Sequence, residues 1–426
     1  MYFLDALKPV AYVSIILFLV IQFSFSGYSV AGMDFIKFFP VLALFFIPRI
    51  NLKLSLVFVF LSIIFLAPFL FNDKNILLIH AGDFNSYIGF SSWLKNNSLV
   101  ADVNYFDQFN TLSHNALDHK SFFLRYGITF LLAIFSDLFS IEIYKIYSPV
   151  TLLFLIFQIH AIYFLLKNVF KFSPQAIYFS IILYSCSSVF LWPAYASFLP
   201  QVLGLSLLIY LFSLNFLIDD LFESSSLKEK IIFFLFYILI LNSLLVVYPE
   251  CILILFLQCV LKIFINYKKN ILVLKFLLFN ILIVITLFLF SYQSLVWAIK
   301  GILIQGQTLA HGGMQISSFI NLISMLLLTT NIPLIDGFVS ESKNYLKIIY
   351  IIFFILFIIY LCRIKKISTN IFMLVSTCII FFLIVYFRLT ADIYINYSNY
   401  KTLYSWNLFK AMQYINPFIT PVVYSL

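Results

Sequence analysis

The residues able to do chemistry in this chain are concentrated between His80 and Arg125, the one long polar interval in an otherwise apolar sequence. It carries Asp83, Asp102, Asp107, His114, Asp118, His119, Lys120 and Arg125. In Gly82-Asp83-Phe84-Asn85-Ser86-Tyr87, Asp83 and Tyr87 stand four apart, so a helix starting there sets both on one face. An aspartate after glycine and ahead of a helix is either an N-cap or a carboxylate placed for proton transfer. Glu250, in Tyr248-Pro249-Glu250, is the second carboxylate of interest. An ionisable group at the end of an apolar run is costly in lipid and so a functional candidate, unless it caps the helix that follows. His114, Asp118 and His119 have ligating chemistry but match no metal-ligand spacing, so they read as a solvated loop and no metal site is assigned.

Those residues must be positioned by helices. The 426 residues are 63% hydrophobic and 10% charged, with mean hydropathy +1.07, whereas a soluble domain is about half apolar and about a quarter charged. The apolar runs are long and continuous, not alternating, so the fold class is an all-α polytopic membrane protein and a β-barrel is excluded. Runs near 9–27, 35–48, 54–71, 147–166, 174–192, 200–218, 231–247, 251–266, 270–290, 345–362 and 370–388 predict about eleven spans, within about ten to thirteen. Lys8 precedes the first run as in a signal peptide, but the run has full span length and no small-residue cleavage site follows, so it reads as a transmembrane helix. The five cysteines lie in or beside apolar runs without ligand spacing and read as small core residues. The net charge of +9 comes from small basic clusters between runs, a membrane-orientation pattern that gives no reason to invoke nucleic acid.

Arg49 and Lys53, Lys167 and Lys171, Lys228 and Lys230, Lys262 with Lys268 and Lys269, and Arg363 with Lys365 and Lys366 belong on the cytoplasmic side. The runs at 54–71 and 147–166 already supply two crossings between the first two clusters, so the apolar piece 123–140 does not cross and reads as an interfacial or re-entrant helix. The chain is then one transmembrane domain over 1–426. It has a large outer loop at 72–146 containing that helix, a second outer loop at 291–344, and an outer tail at 389–426. Residues 193–199 and the Glu250 corner emerge on the same side.

An acid in a Gly-Asp-x-x-x-Tyr setting, in the first large outer loop of a many-helix membrane protein, resembles the first-loop signature of the C-type (GT-C) membrane glycosyltransferases. Phe122-Phe123-Leu124-Arg125-Tyr126-Gly127 is similar to the segment with which that family re-enters the membrane after the loop, and the helix succession extends the resemblance to about residue 218. One departure stands out: many members carry two adjacent acids, whereas Asp83 is followed by Phe84. Asp83 then acts alone or with Asp102, Asp107 or Glu250.

The resemblance implies a hexosyltransferase in a bacterial inner membrane, its active site facing the periplasm, with a polyprenyl-phosphate sugar as donor. Asp83, with Glu250 as the second catalytic candidate, would take the proton of the acceptor hydroxyl. Arg125, His311, Arg388 and Lys401 each lie at or beyond the outer end of an apolar segment, where they would meet the departing phosphate, unless Arg125 and Arg388 merely anchor at the interface and His311 is an exposed loop residue. Tyr87, Asp102 and Asp107 would line the substrate. No cofactor is required by these residues, though a divalent cation, magnesium or manganese, could share the phosphate charge. Trp93, Trp192, Trp297 and Trp406 fall near outer ends, where a ring either anchors in the headgroups or stacks on a sugar. Low alanine and glycine with abundant isoleucine, phenylalanine, asparagine and lysine suit an AT-rich bacterial genome. By the same resemblance, the implied acceptor is a surface glycan or glycolipid such as lipopolysaccharide O-antigen.

Two alternatives stay open. An O-antigen polymerase joins whole repeat units and uses arginine-rich outer loops, whereas the outer loops here carry few arginines besides Arg125 and Arg388. A flippase or secondary transporter of lipid-linked glycans places charges near the midplane, often in repeated halves. The acids here avoid span centres, and no half-to-half symmetry is visible.

Overall fold

The computed structural model describes the backbone of residues 2–46, 52–71, 81–103, 111–186, 188–195, 198–224, 226–267, 270–307, 315–316, 369–396, 403–404 and 406–425. Its helices in chain order are α1 (Tyr2–Ala6), α2 (Lys8–Phe25), α3 (Phe39–Ala43), α4 (Leu52–Phe71), α5 (Ala81–Asn96), α6 (Thr111–Ser121), α7 (Gly127–Phe139) and α8 (Ile143–Phe164). These are followed by α9 (Pro174–Ser185), α10 (Ser188–Tyr195), α11 (Leu199–Ser224), α12 (Leu227–Val247), α13 (Ile252–Ile265) and α14 (Asn270–Gln307). The last two are α15 (Thr369–Asn396) and α16 (Trp406–Ser425). A short β1 (Gln315–Ile316) pairs antiparallel with β2 (Leu403–Tyr404), Gln315 opposite Tyr404.

Local sequence starts several of these helices. Pro9 occupies the first turn of α2, where its missing N–H is no loss. Ser226 and Glu229 form a reciprocal capping box at α12, with Glu229 Oε2 accepting from the Ser226 N–H at 3.0 Å. Ser173 caps α9 by accepting from the Ala176 N–H at 3.3 Å, with Pro174 next. Among the described residues, five helices are long and apolar enough to cross a membrane: Lys8–Phe25, Ile143–Val169, Leu199–Glu223, Leu227–Val247 and Ile271–Ile304. The chain is therefore a polytopic helical membrane protein. The run at 345–362 lies outside the described residues.

The chain forms two compact units. The first comprises Met1–Phe164, Pro193–Ile252 and Asn266–Thr308. Its centre is α11, whose spanning portion is wholly enclosed by protein. Along α8 and α11 the contacts advance together: Ser206 Oγ donates to the Phe154 carbonyl at 3.4 Å, and farther along both helices His160 Nδ1 meets the Tyr210 hydroxyl. The two helices are therefore parallel. After the short turn at Ser226, α12 runs back along α11, and the Tyr237 hydroxyl donates to Asn215 Oδ1 at 2.8 Å. A hydrogen bond between spanning helices satisfies a polar group that lipid would leave bare.

Three expectations change in this unit. The run at 35–48 is not one continuous helix. It is a 3-10 turn over Asp34–Phe38, then α3, then a 3-10 turn over Leu44–Phe46. It travels back along α2, with Phe35 packed on Phe23 (4.8 Å between centroids) and the Phe39 carbonyl accepting from the Tyr12 hydroxyl at 2.6 Å. Phe46 then packs on Tyr12 at 5.7 Å. A 3-10 helix rises about 2.0 Å per residue against about 1.5 Å for an α-helix, so a short segment covers more depth this way.

The piece at 123–140 does not lie with one face against lipid: α7 is buried at every position from Gly127 to Ile134. It packs on α5, α8 and α2 and is an internal helix too short to span. The third change is at residue 291, where the outer loop was expected to begin. Instead α14 kinks at Ser291 (φ −136°, ψ 26°) and continues as helix to Gln307.

The second unit comprises Leu165–Trp192, Leu253–Ile265 and Leu309–Leu426. There α16 packs on both α9 and α15. Ser180 Oγ and Ser425 Oγ lie 2.7 Å apart, and Phe381 and Tyr414 are in ring contact at 6.2 Å. Within α13, Gln258 and Lys262 are buried.

Candidate functional site

Proline shapes one wall of the site. The residue before proline is driven out of helical geometry, and Tyr248 accordingly leaves α12 at φ −155°, ψ 69°. Pro249–Cys251 then forms a 3-10 turn that carries Glu250. Gly204 of α11 makes room for this corner, since a Cβ there would stand 2.3 Å from Tyr248 Cβ.

The opposite wall is the connection from α6 to α7. The chain reverses at Phe123, which takes a left-handed φ of 49°, and the Leu124 N–H donates to the His119 carbonyl at 2.9 Å. This turn delivers Arg125 to the mouth of α7. Gly127 lets α7 start hard against α12, because a Cβ there would lie 2.7 Å from Val247 Cγ2. From the far side α14 holds the turn. Trp297 Nε1 donates to the Leu124 carbonyl at 3.1 Å, and its ring meets Phe123 at 5.0 Å and Tyr126 at 5.1 Å. Gly301 allows the Phe123 carbonyl to approach, at 2.6 Å from where a Cβ would be.

Arg125 and Glu250 meet where these walls converge. Arg125 Nε donates to Glu250 Oε1 at 3.0 Å, and Nη2 donates to the same oxygen. The guanidinium lies over the Tyr248 ring, 4.5 Å from its centroid. Burial works against the arginine's charge, but Glu250 and the nearby Tyr248 and Tyr87 outweigh it and raise its pKa. Arg125 therefore does not stand alone; it is half of a pair whose side chains are 17% and 23% exposed.

Tyr87 is buried on α5 and is one of the groups acting electrostatically on Arg125. Asp83 lies one turn ahead of Tyr87 in the same helix. Ala81 and Gly82 ahead of Asp83 are already helical, so Asp83 is not an N-cap. Asp102 is exposed just beyond α5. It acts on Lys120, whose pKa burial pulls down to about 8 against Asp102's opposing charge. Lys120 Nζ donates to the Ala101 carbonyl and lies 4.4 Å over the Trp93 ring.

The structure thus brings Tyr87, Arg125 and Glu250 together and ties Asp102 to the neighbouring Lys120. The side chains of Asp83 and Arg388 lie outside the described part of the structure, although the backbone places them in α5 and α15. Asp107, His311 and Lys401 fall outside the described residues.

His119 was not legible as part of this site. It groups in sequence with His114 and Asp118, which do face outward and lie 3.5 Å apart. His119 itself is fully buried, stacked on Phe90 at 4.4 Å, with Nε2 2.8 Å from Ser86 Oγ. The available signal was the spacing of Ser113, Ala116 and His119, a buried stripe along α6.

Among the described residues no three His, Cys, Asp or Glu side chains converge as a metal site, and the charged partner of Glu250 is a cation. The chain matches no protein-family model, no curated protein and no solved structure.

Proposed function

We propose that the chain is a membrane glycosyltransferase that moves a sugar from a polyprenyl-phosphate carrier to a surface glycan or glycolipid such as lipopolysaccharide O-antigen. It would work on the periplasmic side of a bacterial inner membrane, with about eleven spans in the complete bundle. One observation supports the reading above others: the two stretches that resemble C-type glycosyltransferases, Gly82–Tyr87 and Phe122–Gly127, belong to elements that pack together, and Tyr87 lies near enough to act electrostatically on Arg125.

In this reading Asp83 takes the proton of the acceptor hydroxyl as its oxygen attacks the anomeric carbon. The bond from that carbon to the phosphate oxygen breaks, and the polyprenyl phosphate leaves with the electron pair. Arg125, aimed by Glu250 and Tyr248, supplies fixed positive charge toward the leaving phosphate. Glu250 thus serves through Arg125, keeping the guanidinium oriented in a low-dielectric setting.

A second reading, a transporter of lipid-linked sugars, is favoured by one feature. Asn242 and Ser243 of α12 are fully buried, and their side-chain polar atoms have no hydrogen-bond partner among the described residues. Bare polar groups inside a spanning helix are where a transporter handles polar cargo.

Incubating purified protein with polyprenyl-phosphate sugars and glycan acceptors separates the two. Sugar transfer by the wild type that falls about 10²- to 10⁴-fold in Asp83→Asn supports the transferase. Movement of the donor across vesicle membranes with no transfer to any acceptor supports the transporter instead.

A further inference from the structure

The contact between α5 and α6 holds a buried polar group that the reaction above does not use. Ser113, Ala116 and His119 of α6 are buried at helical spacing, and the helices touch closely at Gly89, where a Cβ would stand 2.0 Å from Asn115 Nδ2. His119 is the end of this stripe. Its ring lies nearly parallel to Phe90, at 18° and 4.4 Å between centroids. Its Nε2 is 2.8 Å from Ser86 Oγ, and the Tyr87 ring centroid is 6.1 Å away. The one imidazole therefore touches the turn of α5 that directly follows Asp83.

The charge state suits this contact. Burial pushes the His119 pKa down to about 3, with Ser86 opposing and the nearby Arg125 charge adding to the depression. The ring is neutral at neutral pH and adds no second cation beside Arg125. A neutral imidazole can stack and hydrogen-bond at once, which neither a phenylalanine nor an aliphatic side chain can do.

We infer that His119 is a positioning residue: hydrogen-bonded to Ser86 and stacked on Phe90, it fixes the turns of α5 that carry Asp83 and Tyr87. Its effect on turnover rests on the glycosyltransferase reading; its effect on α5 does not. The two are therefore tested together on the full chain, by hydrogen exchange and by sugar transfer from polyprenyl-phosphate donors.

His119→Phe keeps the ring and loses the hydrogen bond, and Ser86→Ala removes only the partner. Each should raise backbone exchange across Tyr87–Phe90 about tenfold, the size of one buried hydrogen bond left unmade. Each should also lower kcat about tenfold at constant donor KM, because the base is displaced while binding surfaces remain. His119→Gln, which can again reach Ser86, should return both readouts to within about threefold of wild type. Unchanged exchange in His119→Phe and Ser86→Ala overturns the inference, as does a glutamine variant no better than phenylalanine. If His119→Phe fails to fold, Ser86→Ala decides the matter. If the wild type transfers no sugar while exchange still rises in the variants, the glycosyltransferase reading fails and the positioning role stands.

Discussion

Arg125 and Glu250 lie 125 residues apart in the chain, yet two guanidinium nitrogens converge on one carboxylate oxygen of Glu250, Nε at 3.0 Å. The pair joins the mouth of α7 to the corner beyond α12, so it is a structural tie as well as a candidate catalytic device. Removing one partner leaves the other charge partly buried and unmatched. Arg125→Met and Glu250→Gln should each destabilise by about 1–3 kcal/mol, the partial exposure of both side chains reducing the cost of a fully buried break. The double variant should lose less than the sum, which a double-mutant cycle from thermal unfolding in detergent would show.

Gly204 is expected to be intolerant of even one methyl group. Gly204→Ala drives a Cβ into Tyr248, whose own Cβ cannot yield without moving the Pro249 corner. The loss should be about 1–3 kcal/mol, with sugar transfer reduced because Tyr248 carries the Arg125 guanidinium. Unfolding midpoints and transfer rates that both match wild type would show that the corner is free to shift.

Trp297 is expected to act as a clamp on the Arg125 turn, not as a sugar platform. Trp297→Phe deletes the donor to the Leu124 carbonyl and should cost about 1 kcal/mol. The donor KM should not change. A large rise in KM with unchanged stability would instead mark the ring as a substrate contact.

Acid should weaken the fold through His119. Its folded pKa of about 3 lies below the ordinary value of 6.5, so below pH 6.5 the unfolded chain binds a proton that the native site refuses. Stability attributable to this group is complete above pH 6.5 and is lost as pH falls toward 3, by up to about 1.4 kcal/mol per pH unit. His119→Gln should flatten that part of the profile. Equal acid sensitivity in variant and wild type, measured by unfolding midpoints between pH 7 and pH 4, would count against it.

Much of the helical framework was legible because apolar runs long enough to span lipid leave few alternatives: 9–27, 54–71, 147–166, 200–218 and 231–247 overlap α2, α4, α8, α11 and α12. The limits of that reasoning are specific. Ser291, Tyr292, Gln293 and Ser294 look like the end of a span, yet Trp297 and Gly301 dock on Phe123 and the helix persists. For 123–140, hydropathy could not distinguish a helix buried in protein, as α7 is, from one lying on lipid. Arg125 and Glu250 were each conspicuous in sequence; their pairing was not, because it depends on a proline-bent corner meeting a left-handed turn. His119 was hidden by its outward-facing neighbours.

The kink in α14 has a consequence for depth. From Asn270 to Ser291 the helix rises about 30 Å, the thickness of a bilayer's hydrocarbon core. Most of its exposed apolar side chains, from Ile271 to Phe290, lie on that stretch; beyond it the exposed large apolar residues thin to Tyr292, Ile299 and Leu303. Trp297, which grips the Arg125 turn, is a further turn and a half along, about 9 Å past the kink. The helix works as a spacer: it separates the lipid-length apolar stretch before Ser291 from the turn beyond it that grips the Arg125 loop.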